Sequence, residues 1–250
     1  MDTFNLEIAG LTAQIRPLFV STKEYFRRYL SEKPAQTAIS VSEADLVHEQ
    51  TCLDREAEEE GLKKRRFTAP FLERAVIQRK MAQALLAYDT LLLHGSTVAV
   101  DGRAYLFAAA CGTGKSTHTR LWREVFGTRA VMINDDKPFL RLMPEAVLAC
   151  GSPWSGKHGL DTNVSLPLQG ICILRRGEEN TICPLPAEEA VSLLCHYACL
   201  PGETLDPQAE ALVKTLAARM PLWQMNCNMQ PQAATVAHEA MSAGQNRNME

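Results

Sequence analysis

Lys115 and Ser116, preceded by a run of small residues, and the carboxylate pair Asp135 and Asp136 further on are the side chains whose types and spacing suit phosphate chemistry. The segment from Ala109 to Thr117 (Ala-Ala-Cys-Gly-Thr-Gly-Lys-Ser-Thr) reads as a phosphate-binding loop. In such a loop, backbone N–H groups turn inward together, and the positive dipole end of the following helix points at the same spot. Ala110, Cys111, Gly112, Thr113, Gly114, Lys115, Ser116 and Thr117 are therefore the expected nucleotide contacts. Lys115 would lie along the outer phosphates, and Ser116 with Asp135 would hold magnesium. Asp136 is then free to take a proton from an acceptor hydroxyl. Ala109 stands where the strict pattern has glycine.

Two adjacent aspartates on a straight strand point to opposite faces, so both serve one site only if the strand ends there. The continuation Lys137-Pro138 supports such an ending, because proline disfavours a central strand. Ahead of the loop, 91–100 and 103–109 read as strand-like runs joined by Asp101-Gly102, a strong hairpin signal. A two-residue turn sets Val100 opposite Arg103, and the register continued backward sets His94 opposite Ala109, at the mouth of the loop. Lys157 and His158 sit in a glycine-flanked loop and can reach an acceptor or a phosphate, against the simpler reading of a solvated loop. Arg175-Arg176 can place a guanidinium on a transferred phosphate, although an arginine pair at a strand end is more often plain surface. Cys195, His196 and Cys199 make a poor metal site, since helical spacing leaves only the two cysteines on one face.

These groups need a scaffold. Residues 4–17 alternate loosely, 20–30 have helical spacing, and 35–41 look extended, which suggests a small N-terminal α/β module over 1–68. The charged stretch 54–66 reads as a helix or a connector. Pro70 then opens a helix to about Tyr88, with Phe71, Ala75, Ile77, Met81 and Leu85 inward. A second domain over 69–250 would continue through a helix from Lys115 to Phe126, with Leu121, Trp122, Val125 and Phe126 on its apolar side, and a strand from Ala130 to Asn134. Further strands are expected at 169–174, 181–185 and 221–226, helices at 187–200, 206–219 and 231–241, and a frayed tail from Ser242.

The composition excludes little but points one way. A net charge of −3 argues against a nucleic-acid platform, and the basic run Lys63-Lys64-Arg65-Arg66 follows the acidic run Glu58-Glu59-Glu60, a self-compensating solvated face. The first twenty residues lack the apolar run of a secretory leader, no segment has the apolar length of a membrane span, and eight scattered cysteines suit reduced thiols, so the cytoplasm is the expected compartment.

The ordered set His94-Gly95, Asp101-Gly102, the loop 109–117 and Asp135-Asp136 resembles the core of the HPr kinase/phosphorylase family over roughly residues 85–245, with phosphoenolpyruvate carboxykinase a more distant relative. The glycine-rich signature that HPr kinases carry after the aspartates is not found. The chain is thus similar to divergent HPr-kinase-like proteins of bacterial peptide-modification gene sets, whose C-terminal strand-plus-helix pattern resembles 222–241. The resemblance implies a mixed-sheet α/β kinase core binding ATP and Mg2+, with His94, Lys115 and Asp136 catalytic. It also implies transfer to a hydroxyl, such as a serine, of a peptide, protein or small molecule, and a homo-oligomeric assembly. The alternative from another class is a nucleotide-responsive binding module that transfers nothing. Carboxykinase-like decarboxylation needs more metal and substrate ligands than the chain presents.

Overall fold

Strands β1 (Phe4–Ile8) and β2 (Leu11–Arg16) form a hairpin whose two turn residues, Ala9 and Gly10, both have positive φ, the backbone that a tight hairpin turn demands. The structure is a computed structural model, and it describes residues 2–59, 61, 63–199 and 206–243. Helix α1 (Val20–Tyr25) follows, then β3 (Leu30–Ser31) and β4 (Thr37–Ser40), completing a four-stranded sheet in the order β3-β1-β2-β4. Alternation along β1 turns Phe4, Leu6 and Ile8 inward, where they pack with Val76, Ile77, Met81 and Leu85 of helix α3 (Ala69–Leu86). A carboxylate sits on that apolar helix face. Glu73 is fully buried and accepts hydrogen bonds from the Leu18 backbone N–H and the Thr22 hydroxyl, which fixes the entry of α1.

Helix α2 (Glu43–Glu59) packs on α3 and begins well before the charged stretch that marks it in the sequence. Its buried residues are only Leu46, Glu49 and Cys52, too sparse a stripe to be seen from periodicity. The basic run after it pairs back, Lys64 with Glu58 and Arg66 with Asp54; Glu60 lies outside the described residues. In α3 Ile77, Met81 and Leu85 are buried as expected, but Phe71 is exposed and stacks on Phe67, Ala75 is half-buried, and Leu72 and Val76 complete the buried face.

The larger sheet follows from β5 (Thr90–Leu92), β6 (Ser96–Val100), β7 (Arg103–Ala108), β8 (Ala130–Asn134), β9 (Phe139–Leu142), β10 (Val147–Cys150), β11 (Ser165–Arg176), β12 (Thr181–Pro184) and β13 (Leu222–Cys227). Its order is β5-β9-β10-β11-β7-β6-β8, with β13 beside β11 and β12 beside β13. Strands β7, β11 and β13 run parallel, and the outer pairs are antiparallel, so the chain is a mixed α/β protein with mixed sheets. Both faces are covered. Helices α4 (Lys115–Phe126) and α7 (Gln232–Ala243) bury Tyr105, Phe107 and Cys172 on one side. Helices α5 (Ala187–Tyr197) and α6 (Pro207–Arg219) bury Leu106, Ala108 and Ile171 on the other. Leu121 and Trp122 of α4 are buried as its apolar spacing implies, but Val125 is exposed. Helix α5 ends at Tyr197 and α7 runs through Ala243; Leu200 and residues 244–250, parts of the expected helix and tail, lie outside the described residues.

The hairpin register holds as the Asp101-Gly102 turn requires: Val100 pairs Arg103 and Ser96 pairs Phe107. It stops there. The expected single strand over 91–100 is two strands, because at His94 and Gly95 the backbone leaves the ladder and bonds elsewhere, Gly95 N–H to the Asp136 carbonyl and His94 N–H to the Tyr197 carbonyl. A Cβ at Gly95 would stand 3.1 Å from the Phe107 carbonyl oxygen, a close approach that glycine eases. His94 therefore does not pair with Ala109, and β5 joins β9 instead.

Beneath the sheet, His118 is buried in α4, with its Nε2 accepting from Trp122 Nε1 at 3.0 Å. Burial pulls its pKa from 6.5 to about 4. The unfolded chain takes up this proton first on acidification, so stability is full near neutrality and falls as pH drops from 6.5 towards 4, by about 3 kcal/mol for such a shift. Urea titrations of His118→Gln, which keeps an acceptor for Trp122, are expected to show that much less loss between pH 7 and 4. An unchanged acid slope would contradict this account.

Candidate active site

Strand β6 runs antiparallel to both β7 and β8, so the carboxyl ends of β7 and β8 and the amino end of β6 meet at one sheet edge. The loop after β7, the aspartates after β8 and His94 before β6 are delivered there together. That common edge is where open α/β sheets hold ligands.

The loop turns through Gly112 (φ +73°) and Gly114 (φ +122°), and the His118 N–H bonds the Gly114 carbonyl as α4 begins. Ala110, Cys111 and Gly112 are exposed, while Thr113, Gly114, Ser116 and Thr117 are half-buried. Lys115 is 8% exposed, and its ammonium donates to the Ala109 carbonyl oxygen at 3.0 Å. Burial lowers its pKa, while Cys111, Asp136 and Asp135 act in the opposite sense. Arg176 donates to the Gly112 carbonyl oxygen at 2.6 Å, so it braces the loop, and Arg175 is exposed.

Asn134 ends β8. Fully buried, it accepts with Oδ1 from the backbone N–H groups of Asp136 and Lys137 and donates with Nδ2 to the carbonyl and hydroxyl oxygens of Ser152. This side-chain turn brings both aspartates to the same edge. Asp135 Oδ1 accepts from Ser96 Oγ at 2.8 Å, and Ser96 contacts the Thr119 hydroxyl of α4, tying β6, β8 and α4 together. Asp136 Oδ1 lies 3.4 Å from His94 Nε2. Burial raises the Asp136 pKa, opposed by Lys137 and Lys115. The same burial, with the Lys137 and Lys115 charges, pushes His94 down to about 3, so its imidazole is neutral near pH 7.

By sequence Lys137 is only part of a strand stop. It faces the site, donating to Cys199 Sγ at 3.1 Å. Burial works against its charge, but Cys199 and Asp136 outweigh burial and hold its pKa above the ordinary lysine value. No motif marks it; only the turn at Asn134 brings it in.

A cleft of about 750 Å3 opens on His94, Asp136 and Lys137 and runs between the 151–159 loop and helices α2 and α3. Lys157 lines it, whereas His158 is exposed and does not. Gly156, at φ +66°, lies against Asp136, where an added Cβ would stand 3.2 Å from the Asp136 Cβ. This loop is anchored by Asp161, which accepts from Ser155 Oγ, Tyr29 OH and Arg28 Nη2, each at 2.7 Å. Among the described residues no cluster of three or more His, Cys, Asp or Glu side chains could hold a metal, the trio Cys195, His196 and Cys199 included. No described helix is long and apolar enough to cross a membrane.

Fold and site together define a mixed α/β protein with a glycine-containing loop, a buried lysine and paired aspartates at one sheet edge. The chain belongs to the family described as SynChlorMet cassette protein ScmC, whose model matches residues 72–232, more than half of its length. Among solved structures it is similar to the Hpr(Ser) kinase/phosphatase from Coxiella burnetii, at 9% identity and a TM-score of 0.39, over 63% of this chain and 94% of that one. So distant a likeness carries no functional weight. No curated protein matches.

Replacing Tyr29 by Phe removes one of the three bonds to the buried Asp161 carboxylate, at an expected cost of about 1–3 kcal/mol. Hydrogen exchange should then quicken at residues 156–159 more than in β7. Unchanged protection of that loop would show that Asp161 does not hold it.

Proposed function

We propose that the protein is an ATP- and Mg2+-dependent phosphotransferase acting on a hydroxyl, built on a kinase core of the HPr kinase type. The observation that carries this reading is the meeting of the loop, Lys115, Asp135, Asp136 and His94 at one edge, with a cleft opening on Asp136. Loop amides from Ala110 to Gly114 hold the donor's phosphates. Lys115, freed from the Ala109 carbonyl, spans the outer ones.

Oxygen ligands suit magnesium. Asp135 offers Oδ2, which accepts no hydrogen bond from the described residues, and Ser116 lies in the first turn of α4 beside the loop. Held by these two and by phosphate oxygens, magnesium would neutralise charge on the transferring group. Asp136 takes the proton of the acceptor hydroxyl as its oxygen bonds to the γ-phosphorus and the bond from that phosphorus to the β–γ bridging oxygen breaks, releasing ADP. Neutral His94 contributes no charge. Its one N–H, beside Asp136, can donate a single hydrogen bond, to the transferring group as charge builds there.

Purified protein incubated with ATP, Mg2+ and a panel of serine-containing peptides and small alcohols, read by mass spectrometry, is expected to yield phosphorylated product. Asp136→Asn should slow transfer about 10²–10⁴-fold with ATP binding kept, and Lys115→Ala should abolish it. Product formation that survives Lys115→Ala would sink the assignment; tight ATP binding without any turnover would favour the binding-module reading.

A further inference from the structure

Beyond His94 and Asp136, the cleft is lined by groups that the transfer reaction itself does not use. None of residues 109–117 lines it, so the donor's phosphates have their own place, and the space beyond His94 and Asp136 is left for the acceptor. Its charges are unbalanced in a specific way. The carboxylates Glu49 and Glu56, from α2, are both held by Arg79, whose Nε lies 2.8 Å from each Glu49 oxygen. Arg74, Lys137 and Lys157 line the same cleft, and among the described residues none of them has a carboxylate within ion-pair distance.

Arg74 is the most prepared of the three. Its guanidinium lies over the Tyr25 ring, 4.4 Å from the centroid, and its backbone carbonyl accepts from Trp154 Nε1 at 2.9 Å. Stacking uses the guanidinium's face and leaves the N–H groups at its edge free, the fork that meets an oxyanion in two parallel hydrogen bonds. A half-buried cation without an ion-pair partner is poorly compensated: Arg79 holds Glu49 and Glu56, and no described carboxylate, Asp136 included, lies within ion-pair distance of Arg74.

We propose that the acceptor is a hydroxyl compound that also carries an anionic group, a carboxylate or a phosphate, and that Arg74, with Lys157, seats that group while Asp136 addresses the hydroxyl. This rests on the phosphotransferase reading and adds the acceptor's chemical class. Leu53, Phe71 and Trp154 give the cleft an apolar wall along which the rest of the molecule can lie.

Two matched probe pairs test this in the full chain: N-acetyl-L-serine against N-acetyl-L-serinamide, and glycerol 3-phosphate against glycerol. The first pair exchanges a carboxylate for a carboxamide of nearly the same size, and the second removes the phosphate group. Turnover with Mg-ATP is expected to favour the anionic member about tenfold or more in kcat/KM, and the better of the two anions tells carboxylate from phosphate. Arg74→Met, which keeps the stem, should raise KM for that anion about tenfold with little change in kcat, ATP affinity or the rate with the neutral partner; Arg74→Lys should recover part of the loss.

Equal use of charged and neutral members, or an Arg74→Met variant that keeps the preference, overturns the proposal. If no probe is turned over, calorimetric binding of the same four compounds is read the same way, and failure of both anions to bind overturns it. Because that binding is measured without nucleotide, a chain that binds the anions but not ATP would defeat the phosphotransferase reading and leave the anion seat standing.

Discussion

Asn134 is the small hinge on which the site depends. A strand alternates its side chains, so two consecutive aspartates at the end of β8 would face opposite sides of the sheet. The buried Asn134 amide prevents that by gathering the next two backbone N–H groups on one oxygen, while its nitrogen fastens to Ser152. One side chain therefore ends the strand, aims Asp135 at Ser96, presents Asp136 to His94, and ties both to the 151–159 loop. An orphaned amide at this depth would cost a few kcal/mol, so the turn is held by the same bonds that satisfy it.

Around that hinge the sheet's strand directions do the rest. With β6 opposed to both β7 and β8, one hairpin and one βα unit converge without any long loop. The four-stranded N-terminal sheet is not detached from this arrangement. Its strands pack on α3, α3 lines the cleft that opens on Asp136, and Arg28 and Tyr29 reach Asp161 beneath the site loop. Burial then sets the electrostatics: His94 stays neutral, Asp136 is harder to ionise than an exposed carboxylate, and Lys137 keeps its charge beside them.

Local rules were enough where local chemistry decides. The Asp101-Gly102 turn gave the register of β6 and β7 pair by pair, small residues before Lys115 marked the strand–loop–helix corner, and Pro70 marked the start of α3. They failed where distant backbone decides. Nothing in the apolar run 91–100 announces the break at His94, because the break is made by bonds to the Asp136 and Tyr197 carbonyls. The short strands β9 and β10 follow a proline that by local rules only ends a strand, and α2 hides a thin buried stripe within charged residues. Lys137 and Arg74 were invisible as site residues for the same reason, since their place depends on elements folding together.

In the proposed reading this sheet edge holds a nucleoside triphosphate with its terminal phosphate between Lys115 and Asp136. A crystal structure of the chain with Mg2+ and a non-hydrolysable ATP analogue tests it most directly. The account predicts phosphates on the amides of 110–114, the Lys115 ammonium turned from the Ala109 carbonyl onto them, and the metal on Ser116 and Asp135. A nucleotide bound elsewhere, or none bound while Lys115 keeps its bond to Ala109, would contradict it.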